Sequence, residues 1–144
     1  MNLILEYEQD FNAWVNQHIA LLQHGRLAEI DVGHLIEELE SMGKRDRREL
    51  VSYMVILIAL LLKWEYQPDH RSNSRRNSIR EQRYQITSQL QESPSLKPRL
   101  PEALSKAYPD AVDLASDETE LLLATFPKDC PYTMNQLLDK LFLP

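Results

Sequence analysis

From Leu50 to Leu62 the chain reads LVSYMVILIALLL, thirteen residues interrupted only by Ser52. Few structures can take up such a run. It is shorter than the roughly 20 apolar residues that a membrane-spanning helix needs. A helix buried on several faces is what remains, and the residues upstream extend it. Leu35, Ile36, Leu39 and Met42 fall on one side of the same helix. Asp31 can cap its start, and Gln67-Pro68 ends it, because the residue before proline is pushed out of helical geometry. The spacing predicts a helix over 32–66, amphipathic in its first half, with Gly43 as a point where it can kink.

The rest of the chain reads as helix too. Behind a cap at Asp10, the residues Phe11, Trp14, Val15, Ile19 and Leu22 share one stripe to Gln23, and His24-Gly25 stops it. A third helix runs from Ser72 or Ser74 to Gln91. The segment 95–120 is helical in composition, but Pro98, Pro101 and Pro109 predict a cap near Ser95 and a kink or restart before Pro109. Thr133 caps a last short helix, MNQLLDKL. With only three glycines in 144 residues a turn-rich β fold is disfavoured. The expected architecture is all-α, a compact bundle of about five helices forming a single domain over 1–144, with the long second helix buried and apolar.

These stretches resemble a family known only as a domain of unknown function, number twenty-nine, found largely in cyanobacteria. The matching pieces are YEQDFNAW at Tyr7–Trp14, LIEELESMG at Leu35–Gly43, LLLKWEYQP at Leu60–Pro68, SIREQR at Ser78–Arg83, SPSLKPRL at Ser93–Leu100 and the ending FPKDCPYTMNQLL. The resemblance implies a small helical bacterial protein. It carries no activity, cofactor or catalytic residue.

Charge is distributed unevenly. Between Lys44 and Arg83 ten basic residues face five acidic ones, a net +5 in a chain whose total is −6. The third helix makes this specific. Its apolar positions Ile79, Ile86 and Leu90 lie on a stripe that passes through Arg75 or Arg76 and through Gln82 or Arg83. A guanidinium pointing inward needs a partner, since an unpaired buried charge costs several kcal/mol. The expected partners are Glu37, Glu38 and Glu40 of the second helix, paired with Arg83 and Arg76 as a buried charge network. Arg71, Ser74, Arg75, Arg76 and Arg80 form a candidate anion site at a helix start, where free N–H groups, the helix dipole and guanidinium groups add up.

Other constellations are weaker. His34, Glu37 and Glu38 have part of the Glu-x-x-His character of bundle metal sites, but in reversed order and without a second pair. His18, His24 and Glu8 could lie nearby, yet no metal and no cofactor is expected. Trp64, Tyr66, His70 and Tyr84 among the arginines would suit nucleic-acid stacking, although the acidic remainder of the chain opposes it. Cys130 sits between Asp129 and Pro131, without a histidine close in sequence to activate it. As the sole cysteine it forms no internal disulfide and fits a reducing compartment. The start MNLILEYEQD lacks the basic opening of a secretory leader, so a cytoplasmic protein is expected.

The function reading is a non-enzymatic helical interaction or regulatory module that binds an unknown protein partner or itself. The alternative is an anion or nucleic-acid binder using the basic third helix, Arg71 to Arg83. A second alternative is a hydrolase built on the Glu37–Glu40 and Arg76/Arg83 charges.

Overall fold

In the computed structural model, which describes residues 3–144, six α-helices follow one another: α1 (Leu3–Gln9), α2 (Phe11–Gln23), α3 (Val32–Tyr66), α4 (Asn73–Glu92), α5 (Leu100–Thr119) and α6 (Met134–Leu138). Short 3-10 turns join several of them, and no strand occurs among the described residues. The all-α class expected from the sequence is the one observed. α1 is an addition, since the sequence reading begins its first helix at Asp10. Asp10 does cap α2, accepting a hydrogen bond from the Ala13 amide at 3.1 Å.

α3 runs unbroken for 35 residues, through Gly43. Its burial is confined to one half. Leu50, Met54, Leu57, Ile58, Ala59, Leu61, Leu62 and Trp64 are buried, and nothing before Leu50 on this helix is. The expectation of a buried second helix therefore holds for its second half alone. The physical reason lies in the composition: from Leu50 onward apolar residues occupy every face, while Val32–Glu49 offers only a stripe.

The chain divides into two compact units, 1–45 and 46–144. In the second, the apolar half of α3 packs with Ile79, Ile86 and Leu90 of α4, with Leu100, Ala103, Ala107, Ala111 and Ala115 of α5, and with Leu137 of α6. Ser72 caps α4 by accepting from the Arg75 amide at 3.1 Å. Thr133 and Gln136 form a reciprocal capping box at the start of α6.

On α5 the expected restart before Pro109 does not occur. Pro94–Arg99 is a 3-10 turn, Pro101 occupies the first turn, and Pro109 sits inside a helix that continues to Thr119. An interior proline costs about 3 kcal/mol. Its neighbours offset that cost here, because Ala107, Tyr108 and Ala111 are buried around it while Pro109 itself is exposed. The helix ends at Glu120, whose φ of 62° is left-handed, a conformation usually given to glycine.

Candidate functional site

The first unit is organised around polar aromatic chemistry. Asp31, just before α3, accepts from the Trp14 indole N–H at 3.1 Å and lies 2.7 Å from His34 Nδ1 through the same oxygen. Its own amide donates to His18 Nε2 at 2.9 Å. That nitrogen must therefore carry a lone pair, which puts the ring hydrogen on Nδ1, where it donates to the Trp14 carbonyl at 2.9 Å. Tyr7 stacks on His34 with ring centres 3.9 Å apart and donates to Glu38 Oε1 at 2.5 Å. Trp14 stacks on His18 at 4.1 Å. Three helices are thus tied together by hydrogen bonds and stacked rings.

The charges in this cluster follow its contacts. Burial would raise the Asp31 carboxyl, but hydrogen bonds from His34 and Trp14 outweigh it and hold the group below its ordinary range. The hydrogen bond to Glu38 pushes the Tyr7 phenol up to about 12, so it stays a donor. The sequence reading found Asp31 only as a cap. Its spacing to His34, three residues on, and of His18 to Trp14, four residues back, is the signal that could have announced the rest.

Apolar residues in this unit mostly face outward. Among its described residues the one buried apolar side chain is Trp14, and His18 is buried beside it. Phe11, Ile19, Leu22, Leu27, Val32, Ile36, Leu39 and Met42 are exposed, eight of the thirteen exposed large hydrophobic residues among the described residues. On α3 they form a stripe spaced four, three and three residues apart, with Leu39 58% exposed. Glu37 and Glu40 are exposed on the same helix.

In the second unit the arginines divide in a way the sequence only half describes. The α4 stripe passes through Arg83, which is 2% exposed. Its expected glutamate partners are not the ones it uses. Nε donates to the Leu137 carbonyl at 2.9 Å and Nη2 to the Gln136 carbonyl at 3.1 Å, and the Phe142 ring lies 5.9 Å away. The cation sits at the C-terminal end of α6, where unpaired carbonyls and the helix dipole favour it. Burial pulls its pKa down, and nearby Asp139 pushes it back up. Glu38 is taken by Tyr7 instead, while Glu37 and Glu40 are exposed. Arg76 is exposed too, with its guanidinium 5.8 Å from the Trp64 ring centre. A charge cluster shared by Arg83 and Glu37–Glu40, on which the hydrolase reading depends, thus loses its central member to backbone carbonyls.

The candidate anion residues gather near the start of α4. Arg71 donates to the Trp64 carbonyl at 2.9 Å and stacks 5.3 Å from the ring centre, while Arg75 donates to Gln67 Oε1 at 3.0 Å. The Ser74 carbonyl accepts from Ser78 Oγ at 3.1 Å, and Arg80 points to solvent. Among the described residues none of Arg71, Arg75, Arg76 and Arg80 forms an ion pair. Lys63 pairs with Glu118.

Two tyrosines complete the second unit. Tyr132 donates to Glu65 Oε2 at 2.6 Å, and Tyr108 to the Pro127 carbonyl at 2.5 Å. Burial pushes Tyr108 up to about 12. An open groove of about 630 Å³ runs past Tyr108, Val112, Phe126 and Pro127. Cys130 is half-buried, and burial raises its thiol above the usual range, the reverse of an activated nucleophile. Among the described residues no group of three or more His, Cys, Asp or Glu side chains is arranged to hold a metal ion. No described helix is long and apolar enough to cross a membrane.

Comparison with known proteins gives one result. The family model described as "Domain of unknown function DUF29" matches residues 6–143. Neither the curated proteins nor the solved structures contain a match.

Proposed function

We propose that this chain, which belongs to the DUF29 family, works as a helical interaction module whose first unit is the docking element. One observation carries the reading. The unit of residues 1–45 has one buried apolar side chain among its described residues and eight large exposed ones. A segment of about 40 residues seldom holds itself together without oligomerisation, disulfides or a metal. Four of the eight, Val32, Ile36, Leu39 and Met42, form one stripe on α3, and exposed apolar patches mark interaction sites. The bacterial cytoplasm is taken as its setting, which suits a chain whose only cysteine, Cys130, is a free thiol.

The test is a comparison of the full chain with a variant carrying Ile36→Asp and Leu39→Asp. Both positions are exposed, so helix content by circular dichroism should not change. A partner captured by the parent chain and lost by the variant, or a dimer that the variant dissociates, supports the reading. Monomers in both cases, with no variant-sensitive partner, sink it.

A second reading rests on the unpaired cations around Trp64. Arg71 and Arg76 lie over its ring beside the α4 N-terminus, where an anion would meet both guanidinium groups and free amides. Titration of single-stranded RNA and of inorganic phosphate at low and moderate salt decides it. Binding that weakens with salt and is reduced by Arg71→Gln and Arg76→Gln supports an anion site. No salt-dependent binding removes it.

A further inference from the structure

Arg71 and Arg76, which share the Trp64 ring, open a row that continues along α4. Arg80 and Tyr84 follow Arg76 at steps of four residues, so the three lie along one flank of the helix, each about 6 Å further along its axis. Arg71, Arg76 and Arg80 are exposed and form no ion pair among the described residues. Tyr84 is 63% exposed.

The acidic residues nearby do not cancel this charge. α4 holds two, Glu81 and Glu92, and their spacing of eleven residues, three turns, puts both on another face. Glu81 lies about 100° round the helix from Arg80, where it accepts from Gln85 Nε2 at 2.9 Å. Glu65, near the end of α3, accepts from Tyr132. Asp139 lies near Arg83, the buried cation. Asp69 is exposed in the turn before Arg71, which leaves five arginines against Asp69 and Glu81 over 69–84. The chain as a whole carries −6, so an anionic ligand gains nothing from the general field and has to be drawn by this row.

The aromatic residues decide what kind of anion fits. Trp64 is buried, and Tyr66 packs against Phe126 with ring centres 5.2 Å apart, so neither offers a free face. Tyr84 does, at the end of the arginine row. A phosphate alone has no use for a ring, and the paired bases of a duplex are already stacked on one another. An unpaired strand uses both, its phosphates on the cations and a base on the aromatic face. We infer that the row formed by Arg71, Arg76, Arg80 and Tyr84 binds single-stranded nucleic acid, the guanidinium groups on its phosphates and one base stacked on Tyr84. This inference rests on the second reading above and extends it from an anion at the start of α4 to a strand running along the helix.

The experiment uses the full chain and labelled oligonucleotides of about twelve residues: a single-stranded RNA, the DNA of the same sequence, and the duplex of each. Fluorescence anisotropy should show the single strands binding more tightly than the duplexes, and the tighter of RNA and DNA identifies the strand. The logarithm of the affinity should fall with the logarithm of salt concentration with a slope of about −2, for three phosphate contacts. Tyr84→Ala should weaken binding about tenfold without changing that slope, and Tyr84→Phe should bind as the parent does. Arg80→Gln should make the slope shallower by about 0.7. All these positions are exposed, so helix content by circular dichroism should stay the same. Duplexes bound as tightly as single strands, indifference to Tyr84→Ala, an unchanged slope in Arg80→Gln, or displacement of the RNA by an equal concentration of oligoglutamate overturns the inference. If inorganic phosphate then still binds and Arg71→Gln and Arg76→Gln weaken it, the second reading stands alone. Binding of neither oligonucleotide nor phosphate removes both.

Discussion

From Asp46 onward the chain closes over twenty-one buried apolar side chains, whereas the described part of residues 1–45 closes over Trp14 alone and displays Phe11, Ile36, Leu39 and others to solvent. The two units solve the same problem with different materials. The second removes apolar area from water and places its one buried arginine at a helix end. The first uses hydrogen bonds and stacked rings centred on Asp31. Burial contributes about 25 cal/mol per Å² of apolar surface and does not depend on direction. Polar networks contribute about 1 kcal/mol per bond and depend on geometry. The second unit should therefore hold its own shape, and the first should be the one with surface to share.

The two tryptophans fall one in each unit, Trp14 and Trp64, so replacing either with phenylalanine leaves a reporter for the other. The largest contrast is expected between Leu61→Ala and Leu39→Ala. The first empties a fully buried site and should cost about 2–5 kcal/mol in the denaturant transition followed by Trp64. The second, at an exposed position, should stay within about 0.5 kcal/mol in the isolated chain. Similar losses at both positions would break the distinction between the units.

Next in size is Arg83→Leu, which removes the donors to the Leu137 and Gln136 carbonyls and should cost about 2 kcal/mol, with protease sensitivity appearing first around α6. A neutral outcome would mean that the apolar environment alone fixes that corner.

Asp31→Asn tests the polar unit. It weakens the bonds to Trp14 and His34 and should cost about 1 kcal/mol in the transition followed by Trp14, leaving that of Trp64 in place. The carboxyl's depressed pKa sets the sign of its pH dependence. Its contribution is fully present above the ordinary Asp value near 3.9. It is lost as pH falls through the lower folded value. Acid titration of the parent chain should show this loss, and that of the Asn variant should lack it. The smallest effect is a gain. Glu120→Gly relieves a left-handed residue at the end of α5 and should raise stability by about 0.5–1 kcal/mol. A loss there would show that the Glu120 side chain matters more than its backbone.

Much of this was readable from local pattern. The apolar run at Leu50–Leu62, the caps at Asp10, Ser72 and Thr133, and the inward stripe of α4 each depend on residues within a turn or two of one another. What the sequence reading missed depends on residues far apart. It paired Arg83 with the nearest glutamates in helical logic, yet a carbonyl more than fifty residues away offers the same electrostatic service, and spacing cannot rank the two. It allowed a kink or a restart before Pro109, and α5 runs through that proline without restarting, because the alanines buried around it had no visible value before their neighbours were known. It read Leu35–Met42 as one side of an amphipathic half-helix without saying what covers that side, and in the structure Ile36, Leu39 and Met42 are exposed and burial on α3 starts at Leu50.

By itself the sequence determined that this chain is helical, roughly where its helices start, and that one of them must be buried, since periodicity and capping are local properties. Only the tertiary structure decided which apolar stripes find cover and which cation meets which acceptor. An exposed and a buried amphipathic stripe carry the same pattern, and what separates Leu39 on α3 from Ile86 on α4 is the presence of neighbours that the pattern does not encode.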